Sequence, residues 1–131
     1  MNFYALFSIG GGAATGAWLR WWLGDRFNPV FPTLPLGTLL ANLIGAYLIG
    51  LAMAFFSQST SLAPEIRLAI TTGFLGGLTT FSTFSAETMT LFIQQEYNWA
   101  LITIFSHVAG SLLLTGLGIL TMRYFISLAA S

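Results

Sequence analysis

Four long apolar stretches separated by short polar turns make up nearly the whole chain. They run from about residue 3 to 23, 36 to 56, 65 to 94 and 99 to 124. A helix needs about 20 apolar residues to cross roughly 30 Å of hydrocarbon, so each stretch predicts a transmembrane helix. The turns carry helix punctuation. "GDRFNPVFPTLP" holds three prolines and an Asp-Arg pair, "SQSTSLAPE" places Pro64 to open a helix, and "QQEYNW" is short and polar. Trp18, Trp21, Trp22, Tyr97, Trp99 and Tyr124 fall near the predicted ends, where aromatic belts belong.

Small residues recur at helical spacing inside these stretches. Gly12 and Gly16 form a G-x-x-x-G pair. Gly37, Ala41 and Gly45 recur every fourth residue, beside a stripe of Thr38, Asn42, Ala46 and Gly50. Such spacing lets backbones approach closely in lipid. Asn42 is the only amide of its span, suited equally to interhelical bonding and to a ligand contact. On the fourth stretch Thr103, His107, Ser111 and Thr115 are four apart and share one face, which resembles one wall of a wet pathway.

The third stretch contains "GFLGGLTTFSTFSAE", residues 73–87. Gly73, Gly76 and Gly77 weaken a helix, and Thr79, Thr80, Ser82 and Thr83 compete with its hydrogen bonds. A break near residues 76–80 is expected. Unwound backbone at membrane depth persists only where it is buried in protein or lines a cavity. Its free carbonyls can hold a cation, and a restarting N-terminus favours an anion. Phe81 and Phe84 project from one face of the restarted helix, with Glu87 one turn beyond Phe84. Positive ring edges can contact a small anion. A carboxylate within a span costs about 2.5–3.5 kcal/mol on insertion scales, so Glu87 should face the interior and find a donor.

Composition decides the environment. Of 131 residues, 56% are hydrophobic and 6% charged, against about 25% charged in soluble domains. The chain is a single membrane domain, residues 1–131. Its first apolar run has no Lys or Arg ahead of it and reads as a retained first span. No cysteine is present and only one histidine, which excludes disulfides and thiolate or multi-histidine metal sites within one chain. No nucleophile, base and acid constellation appears, so an enzyme is not expected. Nothing suggests nucleic acid. A four-helix monomer offers little interior, which points to an oligomer.

The charge does not choose an orientation. With four spans, Arg67 and Arg123 lie on one side, and Arg20 and Arg26 on the other. Insertion follows Lys and Arg bias, and here the tally is even. Dual topology, with antiparallel pairing of two copies, is the sharper expectation, since it recreates between chains the inverted symmetry of many transporters.

The run G-G-L-T-T-F-S-T-F-S, the second-helix asparagine and the arginine ending the first helix resemble the Fluc (CrcB) family of fluoride channels over essentially the whole chain. The resemblance implies an all-α membrane protein of four helices, the third broken, assembled as an antiparallel dual-topology homodimer in a bacterial inner membrane. It implies two fluoride pores per dimer, exporting fluoride by passive electrodiffusion. Phe81, Phe84 and Asn42 would line the pore, with Ser82, Thr83 and Thr38 as further donors. Glu87, Thr103, His107 and Ser111 would form an exit track, and Arg20 a vestibule cation. A structural, untransported sodium ion would be held by the Gly76 and Thr79 carbonyls of both chains. Two other readings remain: a small proton-coupled dual-topology drug exporter, for which Glu87 is the only buried acid candidate, and a non-transporting assembly subunit.

Overall fold

The computed structural model describes residues 2–131, and all regular structure among them is helical. Helix α1 spans Phe3–Phe27, capped by the Asn2 side chain, which accepts from the Tyr4 N–H at 3.0 Å. The same side chain donates to Glu65 at 2.8 Å and ties the start of α1 to the segment opened by Pro64. Sequence pattern ended α1 at about residue 23, but it runs through Gly-Asp-Arg to Phe27. Those residues accept helical geometry, and the barrier comes only at Pro29, in the 3-10 turn Asn28–Val30.

Helix α2 spans Leu36–Gln58. Arg67 closes its end by donating to the carbonyls of Phe56 (3.2 Å) and Ser59, with its guanidinium 5.3 Å from the Phe56 ring centroid. The third stretch is not one helix. It comprises α3 (Pro64–Leu68), a π-helical segment (Ala69–Leu75), α4 (Gly76–Leu78), two extended residues, and α5 (Phe81–Ile93). The π segment precedes the expected break and has no counterpart in the sequence expectation. Helix α5 ends in a Schellman motif. The Glu96 N–H reaches the Leu91 carbonyl at 2.8 Å, and the Gln95 N–H reaches that of Phe92 at 3.0 Å, with Gln95 at φ 61°. Helix α6 runs Tyr97–Ala130, two residues earlier and six later than the pattern indicated. Nothing in its final turns breaks helical geometry. Its 34 residues make about 51 Å at 1.5 Å per residue.

Glycines set the two main seams. Helix α1 lies against the π segment and α4, where a Cβ on Gly16 would come 2.8 Å from the Leu78 nitrogen, and one on Gly73 would come 3.1 Å from the Gly12 Cα. Helices α2 and α6 cross where a Cβ on Gly118 would come 3.1 Å from the Gly50 Cα. Between the seams, Leu23, Ala41 and Leu78 form a buried core. The exterior is apolar. Phe7, Phe105 and Leu113 are more than 70% exposed. Two helices, α2 and α6, are long and apolar enough to cross a membrane, with best-window mean hydropathies of 2.1 and 1.8. The chain is an all-helical membrane protein.

The α2–α6 seam generates a paired test. Gly118→Ala places a methyl against α2 backbone and should destabilise by about 1–3 kcal/mol. Gly116→Ala, with nothing within 4 Å, should be neutral or gain up to about 1 kcal/mol of helix propensity. Thermal unfolding of the detergent-solubilised variants checks the contrast.

Candidate functional site

The break lies at Thr79 (φ −83°, ψ 152°) and Thr80 (φ −149°, ψ 111°), both extended. In an uninterrupted helix the carbonyls of residues 76–80 would accept from the N–H groups four residues on. Here two of those donors are diverted. The Thr80 N–H, which would serve Gly76, donates to Asn42 Oδ1 at 2.7 Å. The Thr83 N–H, which would serve Thr79, donates to the Thr80 hydroxyl at 3.1 Å, an N-cap for α5. Arg20 Nε donates to the Gly77 carbonyl at 2.9 Å, and Asn42 Nδ2 to that of Thr80 at 3.1 Å. Gly76 and Thr79 are thus the carbonyls whose helical donors have been diverted.

Asn42 holds Thr80 at both backbone groups. Because the Thr80 N–H can only donate, the oxygen of the Asn42 amide must face it. Asn42 Nδ2 also lies 3.0 Å from His107 Nδ1. The His107 ring packs on Phe84, with centroids 4.7 Å apart, and Phe84 meets Phe81 edge-on at 5.4 Å. Phe84 is buried, whereas Phe81 is 78% exposed.

One turn earlier on α2, the Thr38 hydroxyl donates to Glu87 Oε1 at 2.6 Å. The Thr38 N–H is held by Asn28 Oδ1 at 3.0 Å. Two buried polar atoms in this region have no partner, Glu87 Oε2 and His107 Nε2.

Two clefts flank these groups. One, of about 540 Å³, is lined by Asn42, Gly76, Thr79, Phe81, Phe84 and His107 among others, and no Arg, Lys, Asp or Glu lines it. The other, of about 390 Å³, takes Glu87 with Pro32, Gln94 and Glu96. The expected pore and track residues therefore separate. His107 and Ser111 line the first cleft and Glu87 the second. Thr103 is fully buried, its hydroxyl donating to the Trp99 carbonyl at 2.8 Å. Thr115 borders the first cleft, but its hydroxyl is turned to the Ala46 carbonyl at 3.0 Å. The Thr38 hydroxyl proton is committed to Glu87. Ser82 is exposed beside the Thr80 cap at 3.3 Å, and Thr83 accepts from the Thr80 hydroxyl at 2.9 Å. Arg20 does not end α1. It sits within the helix and is spent on the break.

Sequence reasoning missed Thr80 as the clamped residue and N-cap, and Asn28 as the anchor of Thr38. A Thr directly before the restarted helix was the available signal for the first. Asn28 had none, since its partner is ten residues away across a turn.

The family described as CrcB-like protein, Camphor Resistance (CrcB) matches residues 7–119. The chain belongs to the CrcB family. Individual CrcB relatives are similar over nearly the full length. A protein named fluoride-specific ion channel FluC from Nitrosospira multiformis is 61% identical, covering 95% of this chain and 97% of its own. One of the same name from Pseudomonas putida is 61% identical, covering 94% and 96%. A third, from Tolumonas auensis, is 57% identical, covering 91% and 94%.

If Asn42 closes the break in this CrcB chain, its removal should loosen that region alone. Asn42→Leu leaves the Thr80 N–H unpaired, at about 1–3 kcal/mol, and takes one of two donors from its carbonyl. Hydrogen exchange should speed up at Thr80 and the first turn of α5, while amides at the Gly50–Gly118 crossing keep their protection.

Proposed function

We propose that the chain forms a fluoride-selective channel, acting by passive electrodiffusion to let fluoride leave the cytoplasm across a bacterial inner membrane. The observation that carries this reading is the edge-packed pair Phe81–Phe84 at the restart of a broken helix, over a cleft lined by no carboxylate, lysine or arginine. A small, strongly hydrated anion needs many donors to pass dry, each weak enough to let go. Hydroxyls, amides and ring edges meet that need. Relatives of 57–61% identity bearing the fluoride-channel name support the choice of ion.

In this reading the chain makes four spans, with α3 to α5 as the third. Two copies pair antiparallel and give two pores. The exposure of Phe81 and Gly76 supports a second copy covering this face. Phe81, Phe84, Ser82, Thr83, Thr38 and Asn42 belong to the pore region, with Glu87, Thr103, His107 and Ser111 along its exit. Arg20 places its charge at the vestibule side of the break.

The Gly76 and Thr79 carbonyls fit a structural sodium ion. Both lose their helical donors at the break, and backbone oxygen suits a hard cation. Among the described residues no cluster of three His, Cys, Asp or Glu offers an alternative metal site. Sodium would hold the two breaks together without being transported.

Liposomes carrying the purified protein should release fluoride rapidly and retain chloride. Phe81→Ile should lower fluoride efflux by about tenfold or more, the worth of one strong contact to an ion, and Asn42→Asp, which removes the amide protons that reach the Thr80 carbonyl and His107 and so loosens the break, should lower it by a similar factor. Absence of fluoride efflux from folded protein in sodium buffer sinks the reading, and proton-coupled exchange through Glu87 then becomes the one to test. Replacing sodium with a large organic cation should weaken the dimer, read as a lower melting temperature and a shift toward monomer in detergent.

A further inference from the structure

A separate groove of about 410 Å³ lies toward the turn between α2 and α3, and every residue that lines it is apolar. Its floor is α2, at Leu51, Phe55 and Phe56. Ile66 and Ile70 form one wall, and Met122 of α6 belongs to the other. The walls do not close on each other, because α6 packs on α2 and α5 rather than on α3 or the π segment. From Phe56 to Leu48, the innermost lining residue of α2, the groove runs about 12 Å at 1.5 Å per residue. That is most of one leaflet of a roughly 30 Å hydrocarbon core.

The turn end of the groove is cationic. Arg67 follows Ile66 on one wall, and its guanidinium lies over the lining ring of Phe56. A guanidinium has five N–H donors, and hydrogen bonds to the carbonyls of Phe56 and Ser59 leave most of them open. Arg123 follows Met122 on the other wall and is exposed. The acid at this end, Glu65, accepts from Asn2 on the α1 side. A dry slot of leaflet depth with an arginine on each wall of its mouth fits a molecule with a hydrocarbon tail and an anionic head.

We propose that the groove holds an acyl chain of a phospholipid of net negative charge, whose headgroup phosphate is met by Arg67 and Arg123. A zwitterionic lipid has the same tail but no net charge to offer the two cations. The bound chain fills the space between the π segment and α6, and so braces the segment that precedes the helix break. The proposal stands apart from the fluoride reading and does not depend on it.

Native mass spectrometry of the intact protein in detergent, given dioleoylphosphatidylglycerol and dioleoylphosphatidylcholine in equal amounts, reads the occupant directly. An arginine near the membrane surface favours an anionic lipid by about fivefold, so two should retain phosphatidylglycerol about 25-fold over phosphatidylcholine. Arg123→Gln leaves the Arg67 bonds intact and should cut that ratio about fivefold. Ala52 lines the groove, and Ala52→Phe puts a ring where the acyl chain lies, so lipid retention should be lost. Leu113→Phe, on the exposed face of α6, should keep it. Phosphatidylglycerol should raise the melting temperature of the unmodified protein and of Leu113→Phe, but not of Ala52→Phe. Equal retention of the two lipids, an Ala52→Phe protein that still carries one, or a lipid-free chain overturns the proposal. In the last case the thiol of Ala52→Cys, in a chain with no other cysteine, identifies what is there instead. A membrane-soluble maleimide labels it in an open groove and fails to label it under a second copy.

Discussion

An unwound backbone in a dry interior must find new hydrogen-bond partners for every group it frees, and in this chain one side chain supplies most of them. Asn42 takes both backbone groups of Thr80. Thr80 then caps α5, α5 carries Phe84 to His107, and His107 returns to the remaining proton of Asn42. The loop of contacts closes on itself through three helices. Without the amide, the buried Thr80 N–H at the break would be orphaned, and a continuous helix would be the better solution. The broken helix, the exposed ring of Phe81 and the freed carbonyls all follow from that one constraint.

The charges are arranged around the same need. Arg20 is not left free in the apolar interior but bonds the Gly77 carbonyl, and Arg67 bonds the carbonyls that end α2. Each cation meets the negative end of a helix segment. Glu87 is held by a hydroxyl and has no arginine partner. Counting arginines by loop therefore captures little of what they do, because two of the four are engaged by backbone.

Much of the fold was legible because long apolar stretches and prolines leave few alternatives. The Gly-Thr run marked the break for a local reason, low helix propensity, and local reasons can be read from local sequence. The contacts of Asn42 could not be read that way. A lone amide in an apolar span announces that it will bond something, but its partners are 38 and 65 residues away. The stripe on α6 was legible as a face and illegible as chemistry. Thr103 turns its hydroxyl back to its own helix, as threonine in helices does, so spacing alone overstated the polar wall. The π segment left no signal in residue type.

That segment has a consequence for phase. Each residue of an α-helix rotates side-chain direction by about 100°, and a π turn accommodates one residue beyond the α count. Ala69–Leu75 therefore acts as an angular offset ahead of α4. It decides which carbonyl Arg20 meets and which way the Gly76 oxygen is aimed. A chain one residue shorter between 69 and 75 would keep every side chain that touches the break, yet present a different oxygen to the arginine. Loop length is usually the permissive variable in a membrane protein. Here a helix length is the stringent one, acting as a dial that sets the direction of backbone dipoles.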